Sequence, residues 1–134
     1  MTTSELQISV LPDETLARFI LQSCHIRKGD NTVKPEAFVP HPYQDLSVTR
    51  HLGLTQAEIW TVGEDVARQT GKNLHGCADN QASSYLDQAL QVLPDPTPSN
   101  PNHANVVGWP QEKAMQKIIA LEIAARSSFI PAQR

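Results

Sequence analysis

Four residues of the chain carry side chains that could together make or break a phosphodiester bond: Arg50, His51, His103 and Asn105. One imidazole would remove a proton and the other would donate one. The Arg50 guanidinium would stabilise the negative charge that develops during the reaction. This set indicates a small metal-independent enzyme, a nuclease or transferase, that acts on phosphodiester or nucleotide substrates.

The predicted elements place these four residues near strand ends. Leu46–Arg50 alternates and is rich in β-branched residues, so it predicts a strand that ends just before His51. A helix follows, and the free amides at a helix start favour anions. If 104–107 is a strand, His103 and Asn105 face the same side of it.

Each of these residues also has a structural interpretation. Arg50 would pair with a surface carboxylate, and His51 would cover a turn. His103 would bind the proline-rich loop to the sheet through hydrogen bonds. The enzyme hypothesis differs because it requires Arg50, His51 and His103 to line one concave pocket.

Three further residues are candidates for a binding surface: His41, Tyr43 and Trp109. The first two stand on the proline-stiffened segment 34–43, where they could line a pocket or cover an edge of the core. Trp109 is expected to anchor the core at the start of a helix, and the alternative is that it forms the floor of a ligand pocket.

The sequence predicts neither a metal site nor a cofactor. Cys24-His25 and the segment 75–77 supply two thiols and two imidazoles, but adjacent residues are awkward joint ligands and the spacing matches no zinc finger. No nucleophile elbow, Walker A motif or glycine-rich dinucleotide turn is present, and the chain has six glycines.

Composition describes an ordinary folded domain. The 134 residues are 40% hydrophobic and 19% charged, so 1–134 is predicted to form a single domain, with 1–5 flexible and 94–101 a proline-rich surface loop. The net charge of −3, with both signs scattered, argues against a basic nucleic-acid-binding stripe. This charge balance is still compatible with a local binding site for nucleic acid or nucleotide.

Four helices are predicted. The first follows Pro12 and runs to about residue 23, and the second has a Thr55–Glu58 capping box and a stop at Gly71. The third covers about 80–90. The fourth begins near Pro110 and is apolar around so much of its circumference that it is expected to be central.

Strands are predicted at 46–50, 104–107 and 90–93, with a further edge strand at 6–10. The resulting fold class is α+β, with α/β as the alternative. We expect one compact domain in which a small sheet is flanked by about four helices.

The chain is expected to be a soluble cytoplasmic protein. No apolar run approaches the roughly 18 residues of a membrane span, and residues 1–7 lack the layout of a targeting segment. In a reducing compartment Cys24 and Cys77 would remain free thiols.

Three segments, taken in order, carry a resemblance. They are 33–40 (VKPEAFVP), 46–60 with its LSVTR and LTQAEIW runs, and 103–110 (HANVVGWP). Together they resemble a group of small bacterial proteins of unassigned function, over most of residues 30 to 127. The resemblance implies a bacterial stand-alone domain and assigns no activity to any residue.

The first functional hypothesis is a binding or interaction module with a protein partner, as one component of a larger assembly. No recognised catalytic motif is present, and two proline-stiffened loops could present a surface with little ordering cost. This hypothesis predicts an exposed apolar or aromatic patch near 35–43 or 94–101. The enzyme described above is the alternative.

Overall fold

The structure, a computed structural model, describes residues 9–40 and 45–132. Within these ranges it contains eight strands, three α-helices and two short 3-10 helices, Ser23–His25 and Pro35–Phe38. The strands are β1 (Thr15–Ile20), β2 (Ile26–Arg27), β3 (Thr32–Val33), β4 (Leu46–Arg50), β5 (Gly76–Gln81), β6 (Gln91–Pro94), β7 (His103–Val107) and β8 (Ser128–Pro131). The helices are α1 (Gln56–Thr70), α2 (Ser83–Leu86) and α3 (Lys113–Ala125).

One six-stranded sheet organises the domain. Its strand order is β6-β7-β4-β1-β5-β8, and β2 pairs with β3 in a separate hairpin. Every pairing among the described strands is antiparallel, which makes the fold α+β rather than α/β. The described residues form a single compact domain.

The sheet has two faces, because successive side chains of a strand point in opposite directions. On the core face, Leu16 and Val48 belong to the large cluster that also contains Ile123 of α3. On the α1 face, Ala17 of β1 and Ile59 of α1 belong to a smaller cluster. The face to which a side chain points therefore determines which other side chains it can contact.

The helix predicted after Pro12 is wrong, because residues 15–20 form β1. This strand lies at the centre of the sheet, between β4 and β5. Leu16 and Ala17 point to opposite faces and are both buried, so the alternation typical of a half-exposed strand is absent. Apolar runs of this length fit a buried strand as well as a helix, and here the two neighbouring strands decide the outcome.

The capped helix is confirmed as α1. The Glu58 amide donates to Thr55 Oγ1 (3.2 Å), and the Thr55 amide donates to Glu58 Oε1 (2.9 Å). Gly71 ends the helix with a φ of 70°. Gly63 lies so close to the sheet that an added Cβ would stand 2.8 Å from Cε1 of Phe19.

The described residues contain three α-helices rather than four. The predicted helix at 80–90 is reduced to the single turn of α2, because β5 continues to Gln81. The last helix begins at Lys113 instead of near Pro110. It is not central: one side is buried through Gln116, Ala120 and Ile123, and the other side is exposed.

The remaining predicted strands agree with the structure where it describes them. β4 has the predicted bounds, and β6 and β7 lie within one residue of theirs. Of the predicted edge strand at 6–10, residues 6–8 lie outside the described ranges, as do residues 1–5, and residues 9–10 are not in a strand. Residues 95–102 form an irregular connection from β6 to β7.

Candidate functional site

Arg50 points to the core face, where it is held by Glu14. Its register partner on β1 is Leu16, a core-face residue. Arg50 Nε donates to Glu14 Oε2 (2.5 Å) and Nη2 donates to Oε1 (2.9 Å). The Arg50 side chain is 1% exposed. This bidentate, charge-assisted pair anchors the end of β4 inside the domain.

His51 lies on the α1 face. Its Nε2 stands 3.3 Å from Asp79 Oδ1, and the Cys77 thiol donates to the same oxygen at 3.5 Å. Burial, and next the Asp79 carboxylate, raise the pKa of Cys77 well above its ordinary value. The thiol is therefore held protonated, which leaves it a poor nucleophile.

His103 and Asn105 share one carboxylate. His103 Nδ1 contacts the backbone oxygen of Asp95 (2.9 Å) and also its Oδ2 (3.3 Å). The Asn105 amide nitrogen donates to the same Oδ2 at 3.1 Å. In the register with β4, His103 lies opposite Thr49 and Asn105 opposite Ser47, so both lie on the α1 face.

The structure does not bring Arg50 together with the two histidines. His51 follows the end of β4, and His103 begins the neighbouring strand β7 on the same face of the sheet. Their rings contact different carboxylates, Asp79 on β5 and Asp95 after β6. Arg50 points to the opposite face. A mechanism with all three groups on one phosphate has no geometric support here.

The 95–102 connection is fixed to the end of β4 by two buried asparagines. Asn102 Nδ2 donates to the backbone oxygens of Arg50 (2.8 Å) and Leu52 (2.9 Å). Asn100 Nδ2 donates to Thr49 Oγ1 at 3.0 Å. Both asparagines are 5% exposed. They give a proline-rich connection a defined conformation beside the sheet.

A cavity of about 290 Å³ opens on the α1 face, between α1 and this connection. Its lining includes His103, Asn100, Thr49, Val66 of α1 and, at the end where β1 and β4 separate, Arg18. Sequence reasoning missed Arg18. Its signal in the sequence is a single charged residue within an apolar run, and the helix predicted over this run conceals it.

Trp109 lies in the core rather than at a ligand pocket. It is 5% exposed and belongs to the main cluster, and its indole N–H donates to the Val106 backbone oxygen at 3.1 Å. The other two candidates for a binding surface, His41 and Tyr43, lie outside the described residues.

The cysteine and histidine clusters form no metal centre in the described part of the chain. No group of three or more His, Cys, Asp or Glu side chains there could hold a metal ion. Cys24 is exposed and Cys77 is buried, and both thiols are free.

The exposed side of α3 is apolar. Ile118 is 57% exposed and Leu121 is 56% exposed, and Met115 beside them is 44% exposed. Ala114 and Ala125 are also exposed on this helix. Clustered exposed apolar side chains of this kind mark interaction surfaces. The patch lies on α3, and Leu121 of this patch lines a groove together with Pro35 and Val39 of the first proline-stiffened segment.

A groove of about 380 Å³ runs beside this apolar side of α3. Its lining includes Leu121 and three cations, Arg27, Lys34 and Lys117, against one carboxylate, that of Glu36. Apolar and positively charged groups therefore stand next to each other on this surface.

Comparisons with protein-family models, with curated proteins and with solved structures found no match to this chain. Within the described ranges, no helix has the length and apolarity needed to cross a membrane.

Proposed function

We propose that the chain is a small interaction module that binds a helix of another protein on the exposed side of α3. The observation that carries this proposal is the exposure of Ile118 and Leu121, two large apolar side chains one turn apart. In this proposal the module works in the bacterial cytoplasm as one component of a larger assembly. The resemblance and the two free thiols support that placement.

The spacing of the exposed residues favours a helical partner. Ala114, Ile118, Leu121 and Ala125 recur at intervals of four, three and four residues, which is the a/d seam of paired helices. The alanines at both ends allow close approach, while Ile118 and Leu121 supply the contact area.

The charges beside the seam favour an acidic partner. Arg27, Lys34 and Lys117 outnumber the single carboxylate of Glu36 in the adjoining groove. A partner helix with an aspartate or glutamate beside its apolar residues would place opposite charges face to face. Rim charges of this kind set association rate and specificity more than affinity.

A photocrosslinking experiment tests the proposal. The photoreactive residue p-benzoylphenylalanine is placed at Ile118 on the seam, or at the exposed Glu64 on α1 as the matched control. We expect a discrete covalent adduct with a protein from Ile118 and none from Glu64, in cells that make the native chain. A probe at Met115 should also give an adduct. The double substitution Ile118→Asp/Leu121→Asp should abolish that adduct.

The loss of the adduct is informative only if the double variant stays folded. Because both side chains are more than half exposed, we expect its free energy of unfolding to stay within about 1 kcal/mol of wild type. Equal adducts from Ile118 and Glu64, or an adduct that survives the double substitution, would reject the proposal.

The phosphodiester enzyme is the weaker alternative. It would operate without Arg50, which Glu14 holds on the core face. It would also need His51 and His103 to leave their separate carboxylates. We therefore give precedence to the interaction module.

A further inference from the structure

Arg18 lines one end of the cavity on the α1 face and has no carboxylate partner in the described ranges. It lies two residues after Leu16, so its side chain leaves β1 on the core side, at the point where β1 and β4 separate. β1 and β4 pair only through Leu16–Arg50 and Ala17–Thr49, and beyond that point the Arg18 guanidinium reaches across the gap. Its Nε donates to the Ala37 backbone oxygen (2.9 Å) and its Nη1 to that of Ser47 (3.1 Å). Burial lowers the pKa of this guanidinium from its ordinary value.

Arg18 has N–H donors that these two hydrogen bonds do not use. A guanidinium has five N–H donors, and two backbone bonds employ only part of them. Arg18 is partly buried, and removing part of a cation's hydration without supplying an opposite charge has a cost. An anion that enters the cavity would supply the missing charge.

The rest of the lining offers hydrogen-bond donors and no carboxylate. Ser47, Thr49 and Ser99 contribute hydroxyls, and Asn100 contributes an amide. The Thr97 hydroxyl already donates to the Asn100 backbone oxygen at 3.3 Å. Thr49 Oγ1 accepts from Asn100, so its own proton stays available for a ligand. A wall without carboxylates suits an anion.

Apolar groups line another part of the cavity: Phe19, Leu21 and Val66. The cavity volume of about 290 Å³ lies at the lower end of the range for small-molecule sites. Asn100 and Asn102 already hold the loop wall in place, so little ordering is needed on binding.

We propose that this cavity binds a small organic phosphate of the size of a nucleoside monophosphate. The phosphate lies against Arg18 and the hydroxyl donors, since a guanidinium fork matches phosphate geometry. The organic body packs against Phe19 and Val66. The site is independent of the α3 surface, because the two use different elements of the domain and neither proposal depends on the other.

Titration calorimetry with adenosine 5′-monophosphate, adenosine and inorganic phosphate tests this proposal. We expect the monophosphate to bind, and adenosine and inorganic phosphate each to bind at least about tenfold more weakly. Arg18→Gln should weaken binding of the monophosphate by about tenfold or more. Arg68→Gln removes an exposed cation of α1 outside the cavity and should leave the affinity unchanged.

A second variant covers the case in which Arg18→Gln folds poorly. Val66→Trp fills the cavity from α1 and leaves Arg18 intact, so it should abolish binding in a folded protein. Amide signals of Thr49, Asn100 and His103 should shift on addition of the monophosphate in wild type alone. No binding by wild type at millimolar monophosphate, or equal binding by wild type and folded Val66→Trp, overturns the proposal.

Discussion

Arg50 and His51 are consecutive residues whose side chains contact carboxylates on opposite faces of the sheet. Arg50 binds Glu14 on the core face, and His51 contacts Asp79 on the α1 face. The alternation of β4 therefore separates two groups that look like one site in the sequence. Arg50 stabilises the domain, and its substitution should lower the free energy of unfolding.

Substituting Arg50 by Ala should lower the free energy of unfolding by about 3–5 kcal/mol, because it leaves the Glu14 carboxylate mostly buried without its cation. Urea denaturation measures this loss. Arg68→Ala is the control, since the Arg68–Asp65 pair is exposed and should contribute no more than about 1 kcal/mol. Equal losses in both variants would show that the Arg50 pair is not a stabilising contact.

Asn102→Ala should destabilise the 95–102 connection and the domain together. The substitution leaves the backbone oxygens of Arg50 and Leu52 without their shared donor, at a cost of about 1–3 kcal/mol. Hydrogen exchange of the amides of residues 97–103 should become faster. Asn73→Ala, at an exposed position, should change neither quantity. Unchanged exchange in Asn102→Ala would contradict the assigned anchoring role.

Gly63→Ala should destabilise the domain although alanine favours helices. The gain in helix propensity is about 1 kcal/mol, whereas overpacking against Phe19 costs about 1–3 kcal/mol. We expect a lower midpoint of thermal unfolding. Gly29→Ala is the control, because an added Cβ there meets no atom within 4 Å. A higher midpoint for Gly63→Ala would mean that α1 does not pack this closely.

The free energy of unfolding should fall at alkaline pH because of the Cys77 thiol. Its native pKa is raised by burial, so above the ordinary thiol pKa of about 8.5 the unfolded chain loses a proton that the native chain keeps. The thiol therefore contributes stability fully below that pH, and the contribution declines by up to about 1.4 kcal/mol per pH unit above it.

Urea denaturation between pH 8 and 10.5 measures this slope. The Cys77→Ala variant should show a shallower decline over the same range, whereas Cys24→Ala, at an exposed thiol, should match wild type. In the native protein a thiol reagent should modify Cys24 and spare Cys77. Identical slopes in wild type and Cys77→Ala would refute the buried, protonated thiol.

The sequence predicts best the elements whose signals are local. α1 has its capping box at Thr55 and its glycine stop at Gly71, and β4 has alternation with β-branched residues. β1 carries no such local signal. Its Leu16, Phe19 and Ile20 match helical spacing, and only pairing with β4 and β5 makes the strand the better state.

The candidate site was harder to predict, because residue types do not reveal which face they occupy. Arg50 and His51 are adjacent in the sequence. Because successive side chains of an extended chain point to opposite faces, the two lie on opposite sides of the sheet. The helix predicted over residues 15–20 conceals Arg18 as a residue beside a cavity of the sheet. The apolar composition of α3 predicts burial, although a helix with an exposed apolar side has the same composition.

The central position of β1 has a consequence for synthesis of the chain. β1 leaves the ribosome before both of its neighbours in the sheet, β4 and β5. Until β5 emerges, the apolar β1 has no partner on one edge, and closing so long a loop is slow. A nascent chain stalled before Gly76 should therefore depend on chaperones to avoid aggregation.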